Sequence, residues 1–427
     1  MKKNVTVVVL AGGAGKRFAP FTTDKSVFPI ACEPIIVRNM MKLTEAGLTR
    51  FVVVTNPAND AIIRSFSLPN AQIETVVQNH AKGMGDALLS AKSLTTGQAI
   101  LVVNAEDVVD ATLYHDIGSA INKRSPFVVG SVAKQYFDGG YLRVSQSRLV
   151  GIVEKPGGGK EPSNLIKLVF DYFPLSDPLL ERLSTIRSTR DDQYEQALDT
   201  YVKEYPVSIL SYDGYWSPLK YPWHVLDVTR HFLHHDVAPA RGKNVDIRNN
   251  VIIEGSVYMG NNVKIFENTK IVGPAYIGDN TIIGNNNIIR ESIIGKNCVT
   301  GFNTDITRSY IGDDCWFHSN YIGDSVLEGN ISMGAGVVCA NFRLDEQEIL
   351  STGRTKLGAM IARDVRIGVN TSVMPGVKIG TNTLIGAGII VDNDLPDGSF
   401  CIGKTTYETK KNTRNISADR GKYKAKL

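Results

Sequence analysis

The sequence predicts a two-part chain, an α/β domain with a largely parallel sheet followed by a parallel β-helix. Three observations carry this. The 427 residues exceed what one ordinary core holds. Before residue 240, β-branched runs alternate with amphipathic stretches. Beyond it the helical period disappears, and aliphatic residues return at every sixth position.

In the first part, VTVVVL, RFVVVT, IETVVQ, AILVVN and PFVVGSV read as strands, with helices over 35–46 and 86–92 between them. Ligands of such a sheet sit at the carboxyl ends of its strands. At the join, DVTRHFLHHDVAPARGKN places His231, His234 and His235 on one helical face. A metal site is conceivable there. Without accompanying carboxylates or cysteines, a docking helix with solvated histidines is the favoured reading.

In the second part, Ile247, Ile253, Met259, Ile265, Ile271, Ile277, Ile283 and Ile289 fall six apart, as do Ile361, Ile367, Val373, Ile379, Ile385 and Val391. Between the two runs the pattern is broken but visible in SYIGDD, NYIGDS and ISMGAG. A six-residue period fits neither helix nor strand. It fits a coil whose flat faces take six residues each, with the aliphatic side chain pointing into a narrow core. By analogy with other isoleucine-hexad coils, a homotrimer is expected. The segment 345–352 matches no rung and is expected as a loop thrown out from the coil. The divisions are 1–230, a linker helix over 231–244, the coil over 245–405, and a basic tail over 406–427. That tail carries Lys410, Lys411, Arg414, Arg420, Lys422, Lys424 and Lys426, which suit either a solvated end or steering of an anionic ligand.

Hydrophobic residues at 43% and charged residues at 21% are ordinary for a soluble globular protein. A net charge of +4 is too small to suggest a nucleic-acid binder. The five cysteines are scattered without a CxxC pair, which fits a reducing cytoplasm and argues against disulfides or zinc. The first apolar run, Val5–Leu10, is too short for a signal peptide or a membrane span, and no later run is long enough to cross a membrane.

The loop leaving the first strand reads LAGGAGKRFAPFTTDKSVFPI. A P-loop requires GxxxxGK followed by Ser or Thr, but Arg17 follows Gly15-Lys16 and Leu10 holds the first glycine position. The dinucleotide fingerprint fails at Phe18. What remains is a glycine loop whose backbone N–H groups can approach phosphate oxygens, flanked by the Arg17 fork and the Lys25 point charge. That set suits a triphosphate or a leaving pyrophosphate.

The pattern LAGGxGxR…P…T…K…P resembles sugar-1-phosphate nucleotidyltransferases. The resemblance extends through Gln78, Gly83-Met84-Gly85-Asp86, Asn104–Asp107, Gly140, Glu154-Lys155-Pro156 and Asn164. It implies a Rossmann-like nucleotidyltransferase domain in which Leu10, Gly12, Gly13, Gly15, Gln78 and Gly83 bind the nucleotide. Arg17 and Lys25 would be catalytic, Asp107 would hold Mg²⁺, and Gly140, Glu154 and Asn164 would bind the sugar phosphate. The sequence departs from the pattern at three points. Proline stands at 218 where the second metal-binding carboxylate is expected, isoleucine at 166 in place of a sugar-site glycine, and Glu106 in place of the glycine before Asp107.

The later segment WFHSNYIGD, with GAGVVCANFR and GRTKLGA after it, resembles the acetyltransferase half of the bifunctional enzymes that make UDP-N-acetylglucosamine, particularly archaeal ones. The resemblance implies a left-handed β-helix with His318 as general base. Tyr321 and Asn341 would bind or order the amino sugar, and Arg308 and Lys356 would hold its phosphate. Histidine, with a pKa near neutrality, suits removal of a proton from an attacking amine.

Together the two resemblances imply acetylation of glucosamine-1-phosphate by acetyl-CoA and Mg²⁺-dependent transfer from UTP to the product. Transfer from UTP or dTTP to glucose-1-phosphate is a nearby variant. Pro218 and Ile166 keep open an acetyltransferase with a degenerate first domain. A non-catalytic regulatory subunit is the third reading, and His318 and Asn341 speak against it.

Overall fold

The computed structural model describes residues 4–146, 148–403 and 408–413, so Arg414, Arg420, Lys422, Lys424 and Lys426 of the expected basic tail lie outside the described residues. The N-terminal sheet has nine strands. Gln72–Val77, Arg50–Thr55, Thr6–Leu10 and Ile100–Asn104 run parallel through its first half. The valines and isoleucines of the three inner strands are buried, because helices cover this part of the sheet and a buried parallel strand cannot alternate with polar residues, whereas Ile73, Val76 and Val77 of the edge strand are half-buried. Leu165–Phe173 then inserts antiparallel between Ile100–Asn104 and Phe127–Val132, and the hairpin of Gly140–Ser145 with Arg148–Glu154 forms the far edge. The sheet is therefore mixed: beyond Ile100–Asn104, Val207–Ser211 pairs parallel with Phe127–Val132 and the other pairings are antiparallel. The helices at 35–46 and 86–92 appear as Ile35–Glu45 and Met84–Ser90.

The C-terminal coil stacks short parallel strands into three faces. Where the hexads are unbroken, Met259 pairs with Ile277 one rung on, an 18-residue turn. In the middle the turns shorten, to 17 residues from Ile277 to Ile294 and 16 from Ile311 to Leu327. Residues lost at the corners break the written pattern while the inward side chains stay stacked. Met259, Ile265, Ile271, Ile277, Ile283 and Ile289 are buried with Ile361, Ile367, Val373 and Ile379 in one continuous core. Ile253 is 37% exposed, because it lies on a terminal rung. Asparagines turn the corners at positive φ and ladder upward, Asn244 to Asn262 to Asn280 to Asn297, at 2.9–3.1 Å. Asparagine tolerates the left-handed conformation better than most residues, and its amide bonds to the next corner.

The helix at the join runs over His224–His235, earlier than expected, and the first coil strand is Ala240–Arg241. Its histidines are not all solvated, because burial of the helix takes one of them. His231 is buried, stacked on Tyr215 at 3.9 Å between ring centroids and 3.7 Å from Asp110; His234 and His235 are exposed. Among the described residues no group of three His, Cys, Asp or Glu could hold a metal. The helix docks through Leu226, Phe232 and Leu233 into a shared core with Phe18, Phe21 and Phe28 of the first loop and Ile293, Tyr310, Val326 and Met360 of the coil. The loop expected at 345–352 leaves the coil over an antiparallel bridge of Phe342 with Lys356. It returns Ile349 to the same core, and Arg354 pairs with Asp227 of the helix.

Candidate functional sites

The first site lies at the carboxyl ends of the parallel strands, where sheet topology places it. Leu10, at the end of its strand, is buried, and Gly12, Gly15, Thr22, Lys25, Asn56 and Gln78 line a cavity of about 420 Å³. Gln78 lies across Gly12 so closely that a Cβ there would collide with its amide oxygen. The Gln78 amide donates to Asp86 (2.8 Å) and to Gly83 O (3.2 Å). Gly83 sits at φ +92, and its own Cβ would meet Asp191. Gly13 backs onto Lys25 and presents its carbonyl to the Asn56 amide at 3.3 Å. Asn56 also donates to Asp24 and Asn59 to Ala11 O, both at 2.9 Å, so two asparagines absent from the sequence reading hold the loop.

A second cavity of about 180 Å³ adjoins it. Arg17, Asp107, Gly140, Glu154, Lys155, Lys167, Glu195, Trp216 and Lys220 line it. Asn164 does not; its side chain is exposed and its carbonyl accepts from Ala133 N. Ile166 is buried in the core opposite Tyr141. Burial works to lower the Lys25 pKa, but its pairing with Glu106, together with the charges of Asp107 and Asp24, outweighs this and raises it. Burial pushes Asp107 up to about 6, helped by Glu106.

The residues around Asp107 do not form a two-carboxylate magnesium cradle. Pro218 pairs with Asp107 across two short antiparallel strands, so the position expected to supply the second carboxylate is adjacent but has no donor. Oδ2 of Asp107 accepts the Trp216 indole N–H at 3.2 Å. Glu106 is held by Lys25. Of the carboxylates lining this cavity, Asp107 is the one opposite Pro218, and an indole donor already occupies one of its oxygens.

The second site lies on the coil. Arg308 grips Asp324 with two hydrogen bonds of 2.8 Å, Asn341 donates to the same carboxylate, and Tyr321 donates to Asn341 at 3.4 Å. Successive rungs bring these residues together: Asp305 pairs with Tyr321, and Tyr321 with Val338. His318 is exposed around the preceding corner, and Asn320 fixes its backbone by accepting His318 N at 2.8 Å. Lys356 is exposed at the root of the loop, next to Leu357, whose N–H donates to Asn341 O. Arg290, one guanidinium nitrogen of which donates to both carboxylate oxygens of Asp305 at 2.8–2.9 Å, adds a cation to this face that the sequence reading missed; its spacing of about one rung from Arg308 was the available signal.

Two stretches of the chain match known families in the same order. The nucleotidyl transferase family matches residues 6–217, and the bacterial transferase hexapeptide family matches residues 256–291. A UDP-glucose pyrophosphorylase in complex with UDP-glucose shares the N-terminal fold, at a TM-score of 0.50 and 18% identity, covering 54% of this chain and 99% of that one. A Sulfurisphaera tokodaii protein described as a bifunctional sugar-1-phosphate nucleotidylyltransferase/acetyltransferase is 31% identical, over 92% of this chain and 98% of that protein. The bifunctional protein GlmU of Methanococcus maripaludis is 30% identical, over 93% and 97%. With a nucleotide-type cleft at one end, a hexapeptide coil at the other and similarity running through both, the chain belongs to the bifunctional sugar-1-phosphate nucleotidylyltransferase/acetyltransferase family.

Proposed function

We propose that the chain makes a UDP-N-acetyl amino sugar by two successive transfers. The coil acetylates glucosamine-1-phosphate from acetyl-CoA, and the N-terminal cleft joins the product to UTP with release of pyrophosphate. The observation that carries this reading is the pairing of a two-chambered cleft around Arg17 and Lys25 with the Tyr321–Asn341–Asp324–Arg308 network beside His318.

On the coil, His318 takes a proton from the amine as its nitrogen attacks the thioester carbonyl. The tetrahedral intermediate collapses, the carbon–sulfur bond breaks, and the CoA thiolate takes up a proton. Arg308, Arg290 and Lys356 are the cations available to the sugar phosphate. In the cleft, a phosphate oxygen of the sugar attacks the α-phosphorus in line, and the bond to pyrophosphate breaks. Such a step needs alignment and charge neutralisation more than covalent help. Lys25 and Arg17, which line the two cavities, are the cations that would serve the leaving group. The exposed Ile252, Trp316, Ile390 and Phe400 along the coil support assembly as a trimer. Five free cysteines and the absence, among the described residues, of any helix long and apolar enough to cross a membrane support a cytoplasmic enzyme.

The test is to supply pure protein first with acetyl-CoA and glucosamine-1-phosphate, then with UTP, Mg²⁺ and N-acetylglucosamine-1-phosphate. Free thiol and pyrophosphate are expected respectively. Pro218 opposite Asp107 favours a second reading, an acetyltransferase whose cleft only binds. Thiol without pyrophosphate would select it.

A further inference from the structure

Lys220 stands two residues after Pro218, on a segment the fold holds tightly. Trp216–Pro218 pairs with Asp107–Val109, Leu219 N donates to Glu106 O at 3.2 Å, and Lys220 N donates to Pro218 O at 3.0 Å. The His224 ring nitrogen lies 2.5 Å from the same Pro218 carbonyl. With the backbone pinned, the Lys220 ammonium lies over the Phe137 ring, 4.3 Å from the centroid, and Lys220 lines the smaller cavity.

The other cations of that cavity have carboxylate partners. Arg17 lies 3.6 Å from Asp138, Lys155 lies 3.2 Å from Glu154, and Lys167 lies 2.6 Å from Asp171. Lys220 makes no such pair among the described residues. Its Nζ donates to a carbonyl, Asp138 O, at 3.1 Å. An ammonium has three protons to donate, so donors remain for a ligand. Asp107, Asp138 and Glu154 act on Lys220 only at a distance, so its partial removal from water is incompletely offset, and an anion in direct contact lowers that cost.

We propose that Lys220 is a phosphate ligand of the N-terminal cleft, its ammonium standing in for the metal charge that Pro218 leaves without a second carboxylate. The substrate group it takes is the phosphate that joins sugar to nucleotide, in a sugar-1-phosphate or a nucleoside diphosphate sugar. This rests on the sugar-phosphate reading of the cleft and gives the cation, instead of a two-carboxylate metal site, the work of holding that phosphate.

The experiment measures binding of UDP-N-acetylglucosamine to the full-length protein by calorimetry, once with Mg²⁺ and once with EDTA. The wild type should keep its affinity in EDTA within about threefold. Lys220→Met, which keeps an unbranched side chain, should bind about tenfold or more weakly in both buffers, and Lys220→Arg should recover most of the loss. Melting temperature and thiol release from acetyl-CoA should not change. Loss of wild-type binding in EDTA, or full affinity in Lys220→Met, would overturn the proposal, as would no wild-type binding in either buffer. Binding that depends on Lys220 without pyrophosphate release from UTP would sink nucleotidyl transfer and leave the role of Lys220 standing.

Discussion

The cleft and the coil site are built on opposite plans. In the cleft, partners come from far apart in the chain: Lys25 meets Glu106, and Asp107 meets Trp216. On the coil, partners lie about one rung apart, Arg308 with Asp324 and Tyr321 with Asn341. A solenoid turns sequence spacing directly into spatial neighbourhood, whereas a sheet with crossover helices does not. The cleft is also not self-contained. Glu328 of the coil accepts hydrogen bonds from Thr22 N, Thr22 Oγ1 and Thr23 N at 2.6–3.2 Å, and Tyr310 OH donates to Pro29 O at 2.8 Å. The segment that carries Lys25 is thus fastened to the other domain.

Four measurements would break or sharpen this contrast. The largest expected effect is that of His318→Ala, which should lower thiol release by ~10²–10⁴ while pyrophosphate release continues. Loss of both activities in a folded protein would mean that the two sites are not separate. The second concerns the cleft wall. Burial pushes Glu195 up to about 7, partly opposed by Lys167. A carboxyl group with a raised folded pKa holds its proton after the unfolded chain has released its own. Stability should therefore fall as pH rises from about 4.5 towards 7 and level off above that. Glu195→Gln should remove a slope on the order of 2–3 kcal/mol in urea melts across that range. An unchanged pH profile would refute this.

Third, Asp324→Asn releases the Arg308 fork and the Asn341 amide together. The KM for the amino sugar in acetyl transfer should rise about tenfold with nucleotidyl kinetics unaltered. The smallest effect is expected for Glu328→Gln. It keeps the shape but weakens the grip on Thr22 and Thr23, and should raise the nucleotide KM about fivefold while thiol release stays constant. If neither rate moved, the coil would be only a neighbour of the cleft.

The coil was highly legible. Ile265, Ile271, Ile277 and Ile283 announced it, and only the shortened turns between Ile277 and Leu327 blurred the register. Asn341 and Tyr321 were within reach because one rung separates them. In the cleft, that Gly12, Gly15 and Lys25 share one loop was legible, because steric and charge requirements are local, and the structure brings them to one cavity. Lys220 was not, since nothing near it in sequence says that it faces Asp107. Asn164 was placed in the sugar site by resemblance, yet the strand after it turns its side chain outward.

By itself the sequence determined that an α/β domain precedes a hexad coil, that the first strand opens into a glycine loop with two flanking cations, and that proline replaces an expected carboxylate. Period, sterics and missing functional groups are properties of short stretches of chain. Only the tertiary structure decided that Pro218 sits opposite Asp107, that Lys220 lines the smaller cavity without a carboxylate partner among the described residues, and that Glu328 reaches across to hold Thr22 and Thr23. Those contacts join residues roughly a hundred to three hundred positions apart. Sheet order and domain docking bring them together, and no local pattern encodes either.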